Sequence, residues 1–206
     1  NKENTKFKTS FYYEINEDKD KKHDHVIFNL SKNQKLIYND VRKFGFIKFF
    51  NKLNIRHNFH LKNLGPEPLN DEFNITYFKN YIVGRNRVVK DILMDQKFVS
   101  GLGNIYVNEI LFLSGVDPRK KIKSLSNLDI NNIIKFTKKI LIKAIRLGGS
   151  SIKNFSSSSG KKGSFQQYFS VYGKKGHNCS KTNCDGKIAK IVLANRASFF
   201  CNKCQK

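Results

Sequence analysis

The C-terminal segment holds all four cysteines of the 206-residue chain, in two close pairs. Cys179 and Cys184 are separated by four residues, Cys201 and Cys204 by two, and sixteen residues lie between the pairs. Two short pairs of thiolates joined by a spacer of hairpin length are typical of a tetrahedral zinc site, and clustered cysteines argue against a disulfide framework. Four thiolates leave no coordination position open, so we predict one structural Zn²⁺. The alternative is four free cysteines in a small core.

A single arginine, Arg196, lies between the cysteine pairs in a stretch rich in lysine. Residues 171–206 carry eight basic side chains and one acidic side chain, so a hairpin held by zinc should contact phosphates here. The planar guanidinium can hold a phosphate or a base edge through two hydrogen bonds, which lysine cannot do. Arg196 is therefore a candidate functional residue, and the alternative is a solvated surface arginine.

The whole chain is strongly basic, with 39 Lys and Arg against 16 Asp and Glu and a formal charge of +23. Such an excess favours a polyanion as partner, nucleic acid above all, although enrichment in lysine also arises from compositional drift. Neither an apolar run of membrane-spanning length nor a signal peptide is present, so we expect a cytoplasmic protein with no membrane partner. The chain begins with Asn1 in polar sequence, and we expect a further segment upstream.

Periodicity divides the chain into a β region and a helical region. Residues 26–50 alternate apolar and polar side chains around "SKNQ", which predicts a hairpin and a following strand. A loop with two prolines, residues 65–68, ends this region, and short helical turns are predicted over 88–99. Residues 150–165 are rich in Ser, Gly and Lys and indicate a loop.

Two helices carry clear boundary signals. Asn104 is expected to cap a helix that runs through Leu113 and ends at Gly115. The longest helix is expected to start at a capping box formed by Ser126 and Asp129 and to stop before residue 148.

Several motifs together resemble the formamidopyrimidine-DNA glycosylases. In the tail these are the cysteine pairs with "DGKI" and "RASFFC" between them and "CQ" at the end. Upstream, "KHDHV", "YNDVRKFG", "LGPEPL", "LMDQKFVSGLGNIYVNEILFLSGVDP", "GGSSIKNF", "GKKGSF" and "VYGKKG" follow in the order of that family. The resemblance runs from about residue 22 to the last residue.

This resemblance implies an α+β multidomain fold. A partial β-sandwich would occupy residues 1–64, a helical helix-two-turns-helix domain residues 65–168, and a C-terminal β-hairpin zinc finger residues 169–206. The expected partner is damaged double-stranded DNA, bound by a monomer.

The implied activity is DNA base-excision repair: removal of oxidised purines by an N-glycosylase coupled to strand cleavage at the abasic site. The family's nucleophile is an N-terminal proline followed by a glutamate, and neither is matched in this sequence. We therefore expect these 206 residues to bind damaged DNA without starting catalysis. The alternatives are a non-catalytic zinc-finger module that binds damaged DNA and a zinc ribbon that binds RNA.

Site residues follow from the resemblance position by position. Arg196 is implied to hold phosphates beside the extruded nucleotide and to assist the second elimination, which makes it the candidate catalytic residue. Asn104, in "GLGNIY", is implied to contact phosphate at a helix N-terminus, where free N–H groups favour an anion. Further implied DNA contacts are His23, Arg85, Lys90 and Lys161; for Lys161 the alternative is a solvated linker.

Arg42 and Phe44, in "DVRKFG", match the residues that fill the gap left by a flipped base. Extrusion of a base costs stacking and pairing energy, which an inserted guanidinium and an aromatic ring partly offset. The alternative is that Phe44 belongs to a core strand. Val41 stands where proline is usual in the family, and without that ring the sequence does not predict a rigid turn here.

Overall fold

The computed structural model describes residues 21–51, 55, 57–150 and 163–206. The chain forms two compact units, one of residues 1–55 and 147–166 and the other of residues 56–146 and 167–206. No helix within these described ranges is long and apolar enough to cross a membrane. The division into domains at residues 64 and 168 stays a prediction.

The first unit contains an antiparallel hairpin of β1 (Asp24–Asn29) and β2 (Lys35–Asn39). The turn between them places Lys32 and Asn33 at φ values of 58° and 55°, the left-handed region that tight turns use. The hairpin predicted around "SKNQ" is confirmed.

The prediction of a strand after this hairpin is wrong, since residues 44–50 form no strand. Phe44 and Phe49 are 76% and 86% exposed, so the alternation of apolar residues does not reflect burial in a core. A strand needs a partner as well as a pattern, and the sheet that the described residues of this unit form has two strands.

The described residues of the second unit form four α-helices, a short 3-10 helix (Ile122–Ser124) and a second hairpin. The helices are α1 (Ile75–Ile82), α2 (Val89–Leu93), α3 (Asn104–Ser114) and α4 (Asn127–Arg146), and the strands are β3 (Ile188–Leu193) and β4 (Arg196–Cys201). The short helical turn predicted near Val89 is confirmed by α2.

The start of α4 confirms the predicted capping box. The Asp129 backbone N–H donates to Ser126 Oγ at 3.1 Å, and the Ser126 N–H donates to Asp129 Oδ2 at 2.9 Å. Two N–H groups that lack partners inside the helix are thereby satisfied. The helix ends at Arg146, before Gly148 turns the chain at a φ of 70°.

Helix α3 lies at the centre of this unit, between α4 and β4. It is buried on more than one side, with Val107 and Ile110 on one face and Glu109 and Phe112 on another. The predicted stop is confirmed, since Gly115 adopts a φ of 74° at the C-cap. The predicted cap is wrong, because Gly103 is the N-cap residue and Asn104 is the first residue of the helix.

Two groups of buried side chains illustrate the core of the second unit. In one, the Phe98 ring lies 5.8 Å from the Phe73 ring and 4.9 Å from the Phe78 ring, centroid to centroid. The other joins α3 to the second hairpin and comprises Phe112, Val171, Ile188, Phe199 and Cys201. The hairpin is therefore part of the hydrophobic interior of the second unit.

Candidate DNA-binding and metal site

The hairpin of β3 and β4 turns in two residues and starts its second strand at Arg196. Ala194 and Asn195 occupy the turn with φ values of 47° and 56°, which suits the twist of a two-residue hairpin. Leu193 pairs with Arg196 across the turn, and the arginine is exposed at this end of the hairpin. The four cysteines lie at or beyond the opposite end.

The ligand atoms of the four cysteines lie within 4.8 Å of one another. The Cys179 and Cys204 sulfurs are 3.8 Å apart, and those of Cys184 and Cys201 are 3.6 Å apart. Tetrahedral Zn²⁺ with Zn–S bonds of about 2.3 Å separates its sulfurs by about 3.8 Å, whereas a disulfide bond is about 2.05 Å long. The spacing and the all-thiolate donor set therefore fit a metal ion such as zinc.

Backbone hydrogen bonds bring the two cysteine pairs together. The Cys179 N–H donates to the Gly186 carbonyl at 2.8 Å, and the Cys184 N–H donates to the Lys181 carbonyl at 3.2 Å. The β-sheet register places Ile188 opposite Cys201 and so brings the second pair to the first. Local turns and one hairpin are thus sufficient to bring the four thiols close together.

The thiols differ in acidity. Desolvation opposes ionisation of Cys201, but hydrogen bonds from the Cys204 and Lys203 backbone N–H groups lower the pKa of Cys201 to about 7. Desolvation and hydrogen bonding with neighbouring thiols raise the pKa of Cys204. Four thiolates at this spacing repel one another, so all four ionise together only when a cation shares the site.

Gly186 leaves room for the sulfurs. A Cβ atom at this position would lie 2.7 Å from Cys201 Sγ and 3.3 Å from Cys184 Sγ. We expect Gly186→Ala to lower zinc affinity about 10- to 100-fold, because the ligands must shift from tetrahedral positions. Competition with a chromophoric chelator measures this change. The control is Gly103→Ala, where a Cβ meets no atom within 4 Å; equal zinc affinity in both variants would contradict the expectation.

A buried glutamine joins the cysteine cluster to the helical part of the unit. Gln205 accepts the Cys201 N–H at Oε1, at 2.8 Å, and donates from Nε2 to the Val116 carbonyl at 2.7 Å. The Lys206 N–H also donates to the Gly115 carbonyl at 2.9 Å. The sequence analysis missed this role of Gln205, for which the final "CQ" is the only signal.

A buried carboxylate makes a second link. Glu109 of α3 is 2% exposed and accepts three backbone N–H groups from the segment that precedes the cysteines. The donors are Ser170 at 2.7 Å, Val171 at 2.9 Å and Tyr172 at 2.8 Å. Glu109 was not a candidate residue, although it is the one charged side chain in α3, a signal that could have identified it.

Three of the residues implied to act on DNA meet beside the turn of the hairpin. Lys90 Nζ donates to the Ala197 carbonyl at 3.0 Å and to Ser198 Oγ at 2.5 Å. Asn104 Nδ2 donates to the same Ala197 carbonyl at 3.0 Å. Both side chains therefore hold the strand that begins with Arg196, and Lys90 is itself 1% exposed.

Arg85 follows α1, which ends at Ile82, and its side chain contacts Tyr81. Its Nε donates to the Tyr81 carbonyl at 2.6 Å, and its guanidinium carbon lies 4.2 Å from the centre of the Tyr81 ring. In the first unit, the His23 carbonyl accepts the Asp40 N–H at 3.0 Å. The remaining predicted DNA contact, Lys161, lies outside the described residues.

Burial makes Lys90 sensitive to pH. Desolvation, aided by the charge of Arg196, lowers the pKa of Lys90 from 10.5 to about 8, against the opposing effect of Asp91. The unfolded chain holds this proton up to about pH 10.4, so the folded state binds fewer protons between these values and its stability rises with pH.

We therefore expect the wild type to gain stability relative to a Lys90→Met variant as the pH rises from 8 to 10.5. The quantity compared is the difference between their free energies of unfolding. Urea titrations at a series of pH values measure it. Lys97→Met, at an exposed lysine, serves as the control and should show no such increase; the same pH dependence in both comparisons would refute the assignment to Lys90.

The fold and the site define a class of protein: a helical domain whose central helix carries a hairpin with four clustered thiols. The formamidopyrimidine-DNA glycosylase H2TH domain matches residues 64–156 of this chain. The formamidopyrimidine-DNA glycosylase of Bacillus subtilis strain 168 is 44% identical over 189 residues, which cover 92% of this chain and 68% of that protein. The chain belongs to the formamidopyrimidine-DNA glycosylase family.

The relative from Ruegeria pomeroyi is 40% identical over 185 residues, and the match covers 90% of this chain and 65% of that protein. The chain thus spans about two thirds of the length of the relatives it matches. A Lactococcus lactis FPG variant in complex with Fapy-dG containing DNA superposes with a TM-score of 0.81 and 38% identity over 89% of this chain and 66% of that one. The expected fold, with its H2TH helical domain and C-terminal hairpin, is confirmed.

Proposed function

We propose that the protein to which these residues belong is a base-excision repair enzyme. It removes oxidised purines, such as formamidopyrimidine and 8-oxoguanine, and cleaves the strand at the abasic site by β- and δ-elimination. The observation that carries the proposal is the convergence of Lys90 and Asn104 on the strand of Arg196, within a chain of this family. The Lactococcus lactis relative in complex with Fapy-dG containing DNA supports the class of substrate.

A structural Zn²⁺ held by Cys179, Cys184, Cys201 and Cys204 is part of the proposal. Its chemistry would be confined to structure, because four thiolates leave no position for a substrate. The sulfur spacing supports it, and so does the burial of Cys201 in the core shared with α3. The ligands would fix the open end of the hairpin, where Ile188 pairs with Cys201, and Arg196 would project from the turn end.

Asn104 and Arg196 would meet the DNA backbone from two elements. Asn104 begins α3, an 11-residue helix whose first N–H groups point out of its end and attract phosphate. Arg196 begins β4 with an exposed guanidinium that can bridge two phosphate oxygens. Lys90 would fix the spacing of the two elements through Ala197 and add positive charge from below the surface.

For these 206 residues alone, we propose binding to damaged duplex DNA without the start of catalysis. Attack on the sugar needs an amine of lowered pKa, and the sequence matches neither the family's proline nor its glutamate. Borohydride reduction on duplex DNA containing 8-oxoguanine should trap no adduct with this chain, whereas a gene product that includes the family's N-terminal segment should be trapped. An adduct with the chain itself would overturn this part of the proposal, and no adduct with the longer product would favour a non-catalytic DNA-binding module.

Arg196→Ala is expected to weaken binding to a duplex with an abasic-site analogue about tenfold, since one charge-assisted contact to phosphate is lost. The slope of log affinity against log salt should become less steep by about 0.9. Fluorescence anisotropy at several salt concentrations measures both quantities. Arg146→Ala, at the exposed end of α4, removes the same charge and should leave the slope unchanged; equal effects of the two variants would contradict a specific contact.

A further inference from the structure

The turn that follows β2 is organised by the carboxylate of Asp40. Its Oδ1 accepts the backbone N–H groups of Arg42 and Lys43, both at 3.0 Å. Its Oδ2 accepts the Gly45 N–H and the Tyr38 hydroxyl, both at 2.8 Å. Four donors from a span of eight residues thus converge on one side chain.

These hydrogen bonds favour the ionised carboxylate. The Gly45 N–H and the Tyr38 hydroxyl are the main donors that lower the pKa of Asp40 to about 2. The hydrogen bond between Tyr38 and Asp40 also raises the pKa of Tyr38. The acceptor is therefore fully charged at neutral pH, and the network is complete under conditions in which DNA is bound.

The network fixes an otherwise unfavourable backbone. Lys43 has a φ of 55°, a left-handed value that a residue with a long side chain rarely adopts without support. Gly45 is required for the close approach, because a Cβ there would lie 1.8 Å from the Tyr38 hydroxyl oxygen and 3.2 Å from Asp40 Oδ2. The turn has little freedom to rearrange while Asp40 is in place.

The side chains that the turn presents are Arg42 and Phe44. The guanidinium carbon of Arg42 lies 4.6 Å from the centre of the Phe44 ring, and this ring is 76% exposed. An exposed aromatic ring with a stacked guanidinium gains little in water, but it offers a flat cationic surface to a stacked base. The backbone N–H groups bound by Asp40 immediately flank or belong to these two residues.

We propose that Asp40 is a positioning residue that holds Arg42 and Phe44 ready for insertion beside a damaged nucleotide. The inference rests on the proposed function, which gives these two residues the task of filling the gap left by an extruded base. Val41 has no ring to fix its φ, so hydrogen bonds to Asp40 supply the order that a proline would otherwise give. A turn ordered in advance avoids the entropy cost of ordering it on the DNA.

The test compares Asp40→Asn with Asp24→Asn. The second variant makes the same charge change on the same hairpin, where Asp24 Oδ1 accepts Asn39 Nδ2 at 2.9 Å, a donor separate from the four that Asp40 accepts. In the free, zinc-loaded chain, hydrogen exchange at the Arg42, Lys43 and Gly45 amides should become about tenfold faster in Asp40→Asn and stay unchanged in Asp24→Asn.

On DNA, the readout is 2-aminopurine placed opposite a tetrahydrofuran abasic analogue, whose fluorescence rises when the neighbouring stack is opened. We expect the wild type and Asp24→Asn to give the full rise at saturating protein, and Asp40→Asn to give less than about half of it. Because the signal is read at saturation, a general loss of affinity does not produce this result.

Two further variants separate positioning from simple damage to the hairpin. Gly45→Ala retains the carboxylate but displaces its partners, so it should reproduce the fluorescence defect. Adding Val41→Pro to Asp40→Asn should restore the signal, because the proline ring restricts the backbone of the turn. The substitution removes no hydrogen bond, since none among the described residues comes from the Val41 N–H.

The role of Asp40 would be overturned if Asp40→Asn showed normal amide exchange and the same full fluorescence rise as the wild type. That result would leave the proposed function intact. A wild type that binds the lesion duplex no better than undamaged duplex would instead contradict the proposed function and remove this inference with it.

Discussion

Replacing Cys201 by Ser is expected to abolish both zinc binding and DNA binding by the finger. Cys201 is fully buried in the core that joins the hairpin to α3, and its sulfur lies 3.6 Å from that of Cys184. A hydroxyl there is a poor zinc ligand and adds a polar group to an apolar cluster. Zinc affinity should fall by more than about 100-fold, since even changes outside the ligand set cost 10- to 100-fold.

The loss should extend to function, because metal binding and folding are one equilibrium in small zinc modules. Without the ion, nothing links the cysteines at the open end of the β3–β4 hairpin, and the strand that begins with Arg196 loses this support. Zinc content by atomic emission, and anisotropy with a lesion duplex, measure the two effects. The control is Thr182→Ser, a mild change at an exposed position between the first two cysteines. A Cys201→Ser variant that keeps one zinc per chain would contradict the four-thiolate site.

Replacing Glu109 by Ala is expected to lower the free energy of unfolding by roughly 3 to 5 kcal/mol, because three N–H groups, one buried and two partly buried, lose their acceptor at once. Those donors belong to Ser170, Val171 and Tyr172, and Val171 is part of the core shared with the finger. The segment that leads into the cysteines should therefore detach from α3. DNA affinity should fall with it, although Glu109 carries the same sign of charge as DNA.

Urea unfolding of the zinc-loaded chain measures this change. Glu72→Ala removes the same charge from an exposed position and should change the free energy of unfolding by less than about 0.5 kcal/mol. If Glu109→Ala bound DNA more tightly than wild type, as loss of a repulsive charge alone would predict, the docking role would be refuted.

Features set by neighbouring residues were predictable from the sequence. The cysteine spacing indicated a hairpin, and the structure forms it with a two-residue turn at Ala194 and Asn195. Ser126 and Asp129 are three residues apart, so their reciprocal hydrogen bonds follow from helix geometry alone. The stop of α3 at Gly115 likewise depends on one residue and its φ.

Features set by distant residues were not predictable. Gln205 and Glu109 act through partners far away in the sequence, and no periodicity encodes such pairs. Asn104 fits a cap by its type, but its amide instead donates to Ala197, 93 residues away. The strand expected after the first hairpin is absent from the described residues for a related reason: alternation describes a face and does not supply the neighbour that a strand needs.

Binding of the zinc-loaded chain to DNA, before and after removal of the metal, tests the central claim most directly. Anisotropy with a duplex that contains an abasic analogue, and with its undamaged counterpart, is measured alongside zinc content. We expect one zinc per chain, tighter binding to the lesion duplex, and loss of that preference when a chelator removes the zinc. Equal affinity for the two duplexes, or an unchanged preference in the metal-free chain, would contradict the claim.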